Sequence, residues 1–511
     1  MAKIGIDFGT TNSSLVAYDK ESGIFEFLGA FGGTGKEKPI PSVVWYHDKD
    51  ITVGKEAKEN FNTFCDMPGH HIETSVKLKL GSEKKISVLG EPKEPYEIAA
   101  KILKHLKDTA EETAGKQNSR IDLRHAVFTV PINFTGKHRA DLRKAAKNAG
   151  FDVNTFIHEP YAALVGYIYS GNKSLDEINN TSVLVFDLGG GTLDITAVRS
   201  YDNHLFELGT GALEGIAGDK FDEELVNLVM ERTLKKYAGI IDAEDIKQAF
   251  ADKKDLLLST AEACKINLSS KPEVSFRVEY MLNESSGKTH HLIETIKRAD
   301  FNACIEHHIK AAVDCINETL KAAELSHNEV AFVLMTGGSS NIPAVKDALT
   351  DIFGANVKWP KYPEFVIAQG AAVITEMNWT PYLSKGIFVK LANDSAHEVY
   401  KKFKLLVREE MPPSDLDFNC TDSRDAEARL IIEEGSSMEN SELKRLKTPE
   451  RKTLCTLNIP VKHEFKGYPD KVSVSFELDN DIVLHVKGRG HFANVEQAAS
   501  IHNICFGMEM K

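Results

Sequence analysis

The stretch VLVFDLGGGTLDITAV, Val183 to Val198, decides how the chain is read. Val183, Leu184, Val185 and Phe186 form an unbroken apolar run, the mark of a strand covered on both faces. Asp187 ends the run. Gly189, Gly190 and Gly191 remove three side chains in succession, so backbone N–H groups there can approach a ligand and take up positive φ. Thr192 and Asp194 follow, and Ile195 and Ala197 resume the alternation of a second strand. Two carboxylates and a hydroxyl thus flank a backbone suited to phosphate. A carboxylate ~4 Å from a phosphate is repelled by about 4 kcal/mol at an effective dielectric near 20. A divalent cation between them reverses the sign, so the stretch predicts a metal-bound nucleotide. An ordinary hairpin with a glycine-rich turn has the same local pattern, and the rest of the chain has to decide.

The N-terminal stretch KIGIDFGTTNSSLVAYD repeats it. Asp7 and Asp187 lie 180 positions apart, each after an apolar strand. Phe8-Gly9 follows the first and Leu188-Gly189 the second, and both lead into small residues and an alternating strand. Later elements recur too. Ala126 to Pro131 is an apolar strand ending in a turn. Ala331 to Thr336, leading into Gly337-Gly338-Ser339-Ser340-Asn341-Ile342-Pro343, is its counterpart. Each is preceded by a long helix, Pro95 to Gly115 with a glycine stop, and Asp300 to Leu325. Ala212 to Ser270 reads as mostly helical. The expectation is a duplicated α/β lobe with a cleft between the copies.

Composition sets the outer limits. The 511 residues are 42% hydrophobic and 27% charged, as in an ordinary soluble chain of several domains. A net charge of −13 and a pI near 5.8 argue against nucleic-acid or anionic-membrane partners. The seven cysteines contain no CxxC pair, which fits a reducing cytoplasm and excludes a disulfide frame. The start, MAKIGIDFGTT, has no signal-peptide pattern. Glu159, before a helix starting near Tyr161, is a further acidic candidate for the cleft, or else a carboxylate favoured by the helix dipole. His158 reads as a packed histidine near the surface.

After Met377 the character changes. Asn378-Trp379-Thr380-Pro381 breaks the preceding helix, and short alternating strands follow at Arg429 to Glu433, Thr453 to Val461 and Val472 to Val486. Ser436 to Glu450 is polar and reads as a long loop. This predicts an all-β sandwich with an apolar groove for peptide, or with a purely structural role.

IDFGTTNSSLVAY, VFTVPINF, FIHEPYAAL, VFDLGGGTLDIT and MTGGSSNIP, in that order and spacing, resemble the ATPase domain of the heat shock protein 70 (DnaK-type) chaperones. ARLIIEEG, LCTLNIP and VSFELDNDIVLHV resemble that family's β-sandwich less strongly. The resemblance implies duplicated actin-like ATPase lobes over 1–377, lobe I being about 1–180 plus 358–377 and lobe II about 181–357. A linker at 378–386 and a β domain at 387–511 without a helical lid follow. It implies ATP or ADP, Mg²⁺ and K⁺ as cofactors. Gly9, Thr10, Thr11 and Asn12 would form the first phosphate loop, and Gly189, Gly190, Gly191 and Thr192 the second. Asp7, Asp187 and Asp194 would hold Mg²⁺. Lys77 and Glu159 would serve the γ-phosphate and attacking water, with Asp7, Asp187 and Thr192 also catalytic. Glu262, Lys265 and Ser269 would surround the adenosine, and Gly337, Gly338, Ser339, Ser340 and Asn341 would border base and phosphates. Positioning and charge neutralisation are what phosphoryl transfer requires.

The chain also departs from that pattern. The segment after Lys77 is short, implying a reduced outer subdomain in lobe I. EMNWTPYLSKGIF replaces the usual acidic, leucine-rich linker, which puts coupling in doubt. Thr155 and His158 stand where many members carry an arginine and an asparagine, so J-domain stimulation is expected to be weak or different. A lidless groove should exchange clients quickly. Ile266 and Asn341 replace charged, stacking side chains at the adenine. The leading reading is a cytoplasmic ATP-hydrolysing chaperone for unfolded polypeptide, served by a nucleotide-exchange factor. The alternatives are a nucleotide-dependent scaffold for one dedicated client and, behind it, a small-molecule kinase of the same superfamily.

Overall fold

A computed structural model describes residues 2–32, 37–47, 50–64, 67–117, 120–172, 174–284, 286–406, 411–420, 426–435, 451–462 and 470–510. The loop expected at Ser436 to Glu450 lies outside the described residues. Two mixed sheets form the larger part. In the first, the order is Asp152–His158, Ile121–Val130, Ala2–Phe8, Asn12–Asp19, Ile24–Phe31, Lys38–Pro41. In the second, it runs Val357–Lys358, Val330–Thr336, Ser182–Leu188, Thr192–Tyr201, His204–Glu214. In each the first three strands are parallel and the next antiparallel. The duplication read from Asp7 and Asp187 therefore extends strand by strand through both sheets.

Two helices, Glu159–Tyr167 and Val366–Met377, fill the space between the sheets. Their buried side chains join Val16 and Val127 of one sheet to Val183, Val185 and Leu334 of the other in a single core. Both helices are apolar nearly all round, as a helix buried on every side must be. They cross backbone on backbone. A Cβ at Gly370 would overlap the Ala162 carbonyl oxygen, and one at Gly166 would overlap that of Val366. The second helix ends at Asn378, whose φ of 54° is the left-handed conformation a helix stop favours.

The C-terminal part is a sandwich of two four-stranded sheets around its own core. One sheet runs Ala396–Tyr400, Gly386–Lys390, Glu427–Gly435, Lys452–Pro460, and the other Ser414–Asn419, Lys471–Leu478, Leu484–Gly490, Glu496–Ile501.

Several expectations need correction. The stretch read as a linker contains a strand, Thr380–Leu383. It pairs with Phe506–Glu509, which in turn pairs with His204 and Leu205 at the edge of the second sheet. Tyr382, Leu383 and Met508 are fully buried there, and that burial holds the segment in place. The last strand thus leaves the sandwich and adds to the larger part. The first long helix runs through the expected stop at Gly115 to Gln117, because that glycine sits in open space and costs only about 1 kcal/mol. The helix expected near Tyr161 starts at Glu159, with Pro160 in the first turn where its missing N–H is harmless. His158 is buried rather than near the surface, its ring 3.9 Å from that of Phe506.

The sandwich rests on the helix Gly136–Asn148 of the first lobe. Arg139, 2% exposed, donates to the Phe134 carbonyl at 2.5 Å. It also donates to the carbonyls of Asp481 (2.7 Å), Ile482 (3.2 Å) and His502 (3.2 Å). Arg143 Nε donates to Asp481 Oδ1 at 2.6 Å.

Gly370→Ala tests the helix crossing. In an isolated helix the change would add about 1 kcal/mol of stability. Here it is expected to cost about 2 kcal/mol or more by overpacking, lowering the denaturant midpoint. A midpoint that rises would contradict the crossing.

Candidate functional site

The two turns that follow the paired strands face each other across the cleft. A Cβ at Gly190 would overlap Thr11 Oγ1, so the Gly9–Asn12 and Gly189–Thr192 turns meet at van der Waals distance. Ser42 closes the first turn from behind by donating to the Gly9 carbonyl at 2.8 Å. The second turn is fixed by Asp219, whose N–H donates to the Gly190 carbonyl at 2.7 Å.

Behind the turns stand the carboxylates. Asp187 and Asp194 are register partners on neighbouring antiparallel strands, so the pleat sends both side chains to one face. Asp7 stands next to last in the equivalent strand of the first lobe and accepts from Thr129 Oγ1 at 3.2 Å. Thr192 Oγ1 donates to Asp194 Oδ2 at 3.0 Å. Glu159 enters from the first turn of the buried helix and accepts from Lys77 Nζ at 2.7 Å. Lys77 is 4% exposed and sits in a tight turn that begins after Ser75, at φ 55°. A cavity of about 180 Å³ lined by Glu159, Asp187, Asp194 and Thr336 opens beside them.

The charge balance is uneven. Burial, then the Glu159 charge, pushes Asp187 up to about 8 and Asp194 up to about 6. Burial and Glu159 push Asp7 up to about 6 as well, against the pull of Lys77. Burial pulls the Lys77 ammonium down, but the Glu159 and Asp7 charges outweigh it and hold it above its ordinary value. Four carboxylates around one ammonium suit a hard divalent cation with oxygen ligands.

A second cavity, of about 280 Å³, is lined by Thr10, Thr11, Lys58, Asp219, Asp222 and Glu262. Glu262 accepts from Lys58 Nζ at 2.8 Å, linking the outer parts of the two lobes. Lys265 Nζ donates to Asp222 Oδ2 at 2.7 Å and to the Gly218 carbonyl at 2.8 Å. Around Gly218 the groups converge: a Cβ there would lie 2.5 Å from Ser339 Oγ and 3.3 Å from the Gly189 carbonyl. Gly337 takes a φ of 77°, which permits the turn that carries Ser339 into this space.

Other expected residues stand less directly in the space. Ser269 Oγ donates back to the Lys265 carbonyl at 3.4 Å. Ser340 Oγ and Asn341 Nδ2 donate to the carbonyls of Gly337 and Gly338 within their own turn. Ile266 is 62% exposed, an apolar side chain turned outward.

The sequence reading missed Asp219 and Asp222. Asp222 is 5% exposed, is pushed up to about 7 chiefly by burial, and keeps Oδ1 without a hydrogen-bond partner. The pattern Gly218-Asp219-Lys220-Phe221-Asp222 at a helix start was the available signal.

A family profile described as "Hsp70 protein" matches residues 3–382. Among curated proteins, the "Chaperone protein DnaK" of Mycoplasma mycoides subsp. mycoides SC is 31% identical over 370 residues, 72% of this chain and 58% of that protein. The protein of the same name from Halobacterium salinarum is 32% identical over 72% of this chain and 55% of its own length. That from Mycoplasmopsis agalactiae is 28% identical over 98% of this chain and 79% of its own. The matched region thus spans between half and three-fifths of the first two. No helix among the described residues is long and apolar enough to cross a membrane.

The raised aspartates give a pH dependence. Each keeps its proton in the folded, ligand-free protein at pH values where the unfolded chain, near 3.8, has lost it. Their contribution is most favourable below about pH 4 and is lost as pH rises towards 8. The denaturant midpoint of the ligand-free protein should therefore fall between about pH 5 and 8, and Asp187→Asn should flatten that fall. An equally steep fall in the variant would contradict the burial argument.

Proposed function

The chain belongs to the Hsp70 family, and from that premise we propose that it is an ATP-dependent chaperone that hydrolyses ATP in the interlobe cleft and grips extended polypeptide with its β sandwich. The observation that carries this reading is the cluster of half-buried Asp7, Asp187, Asp194 and Glu159 around the buried Lys77, set behind two facing small-residue turns.

Backbone N–H groups of Gly9–Asn12 and Gly189–Thr192 bind the phosphates, because turns without bulky side chains let the chain come close. Asp7, Asp187 and Asp194 would hold Mg²⁺, which neutralises phosphate charge when bound. Asp187 carries a proton in the ligand-free protein at neutral pH and releases it when the cation is bound. Lys77 stays protonated and brings positive charge to the γ-phosphate, and Glu159 fixes its direction. Thr192 is held against Asp194 at the edge of the same space. Water adds to the γ-phosphorus as the β–γ bridging P–O bond breaks, and ADP, phosphate and a proton leave. The Asp222–Lys265 pair, Glu262 and Ser339 bound the nucleoside side.

A cytoplasmic location and unfolded polypeptide clients belong to the same reading. Weak J-domain stimulation follows from His158, which is buried under Phe506 and out of a partner's reach. One observation favours a second reading, a scaffold for a single client with little turnover: Phe506–Glu509 ties the connecting segment to the second lobe.

Lys77→Ala is expected to slow single-turnover ATP hydrolysis by roughly 10²–10³-fold, as loss of one preorganised charge does, with fluorescent-nucleotide affinity nearly unchanged. Unaltered hydrolysis would remove Lys77 from the mechanism. Unfolded peptide should raise the steady-state rate, whereas a flat response with one co-purifying protein would favour the scaffold.

A further inference from the structure

Away from the cleft, two helices of the second lobe bring together three groups that the nucleotide chemistry does not use. Glu224 lies on the helix Gly218–Lys236, and His307 and His308 on the helix Arg298–Ala322. One ligand atom from each falls within 4.8 Å of the others. Glu224 Oε1 is 3.4 Å from His308 Nε2 and 3.9 Å from His307 Nε2. In a tetrahedral zinc site with bonds near 2.0–2.1 Å, ligand atoms stand about 3.3–3.4 Å apart. Glu224 and His308 already stand at the spacing of a coordinated pair, and His307 has to move inward to complete the set.

The two imidazoles support this. Neighbouring residues on a helix point about 100° apart, yet these rings lie with centroids 3.9 Å apart, tilted at 38°, and both turn Nε2 to one carboxylate. The side-chain exposures of 7% for His308, 24% for Glu224 and 64% for His307 describe a pocket with a fixed floor and an open side. Phe221 packs on the inner ring, centroid to centroid 5.7 Å, and directly precedes Asp222 of the nucleoside pocket.

We propose that Glu224, His307 and His308 form a site for a divalent transition cation of the zinc class, with its fourth position taken by water. Two imidazoles and one carboxylate match that class, whereas Mg²⁺ and Ca²⁺ prefer all-oxygen sets. The ion pins the Gly218–Lys236 helix, which also carries Asp219 and Asp222, to the Arg298–Ala322 helix. Zinc therefore stabilises the wall of the second lobe that faces the nucleoside.

The test titrates the full chain with Zn²⁺ calorimetrically in excess Mg²⁺, with Co²⁺ absorption as a coordination probe. The wild type should take up about one equivalent of Zn²⁺, give a tetrahedral Co²⁺ visible band, and show a higher melting temperature with Zn²⁺. His307→Ala and Glu224→Gln should each weaken Zn²⁺ binding by more than about 10-fold, since even indirect partners of a metal cost that much. Both should also lose the band and the melting shift. His307 is exposed, so its variant should melt like the wild type in chelator. Equal Zn²⁺ affinity in wild type and both variants, or no tetrahedral Co²⁺ band in the wild type, overturns the proposal.

Discussion

Four half-buried carboxylates share one buried lysine at the centre of this molecule, and that imbalance organises the rest. Asp7, Asp187, Asp194 and Glu159 would each be far less costly in water. They are held together because two copies of one strand–turn–strand unit face each other, each with an aspartate next to last in its central strand. Protonation relieves part of that repulsion, since Asp187 is pushed up to about 8 by burial and its acidic neighbours. Such a site gains from a cation more than an evenly paired one would, and under the proposed function a bound metal–nucleotide complex would draw the lobes together.

The lobes can use that force only if their relative position is well defined. The helix pair at Gly166 and Gly370 supplies the definition. Two backbones in direct contact leave no side-chain cushion, so the crossing point is fixed while the outer walls of the cleft retain freedom. The Lys58–Glu262 pair across the outer walls is half open to solvent, and such a pair contributes only about 0–1 kcal/mol. The inner contact is thus close and buried, and the outer one open to solvent.

The β sandwich is joined to this machine at two places of different chemistry. Arg139 inserts a buried guanidinium among four carbonyl oxygens, three of them from the sandwich. Phe506–Glu509 adds a strand between the connecting segment and the second lobe. The first attachment is on the first lobe, and the second bridges both lobes, since Phe506 also packs on His158 and its carbonyl accepts from Tyr161 Oη.

The sequence by itself determined the two-lobed fold and most of the site's chemistry. Apolar runs leading to Asp7 and Asp187 and the small-residue turns after them were local, and local patterns survive in one dimension, whereas Lys77 was singled out only by the family resemblance. Glu159 had two open meanings, and its 2.7 Å contact with Lys77 joined it to the cluster. Asp219 and Asp222 were passed over because charged residues at a helix start are common on any surface. Only the tertiary structure decided where Thr380–Leu383 and Phe506–Glu509 go. Each is four residues long, too short for a periodic signal, and their partners lie far away in the chain. Burial of Tyr382 and Met508 against the second sheet, and not any preference of the segments themselves, turned an expected linker into part of a seven-stranded sheet.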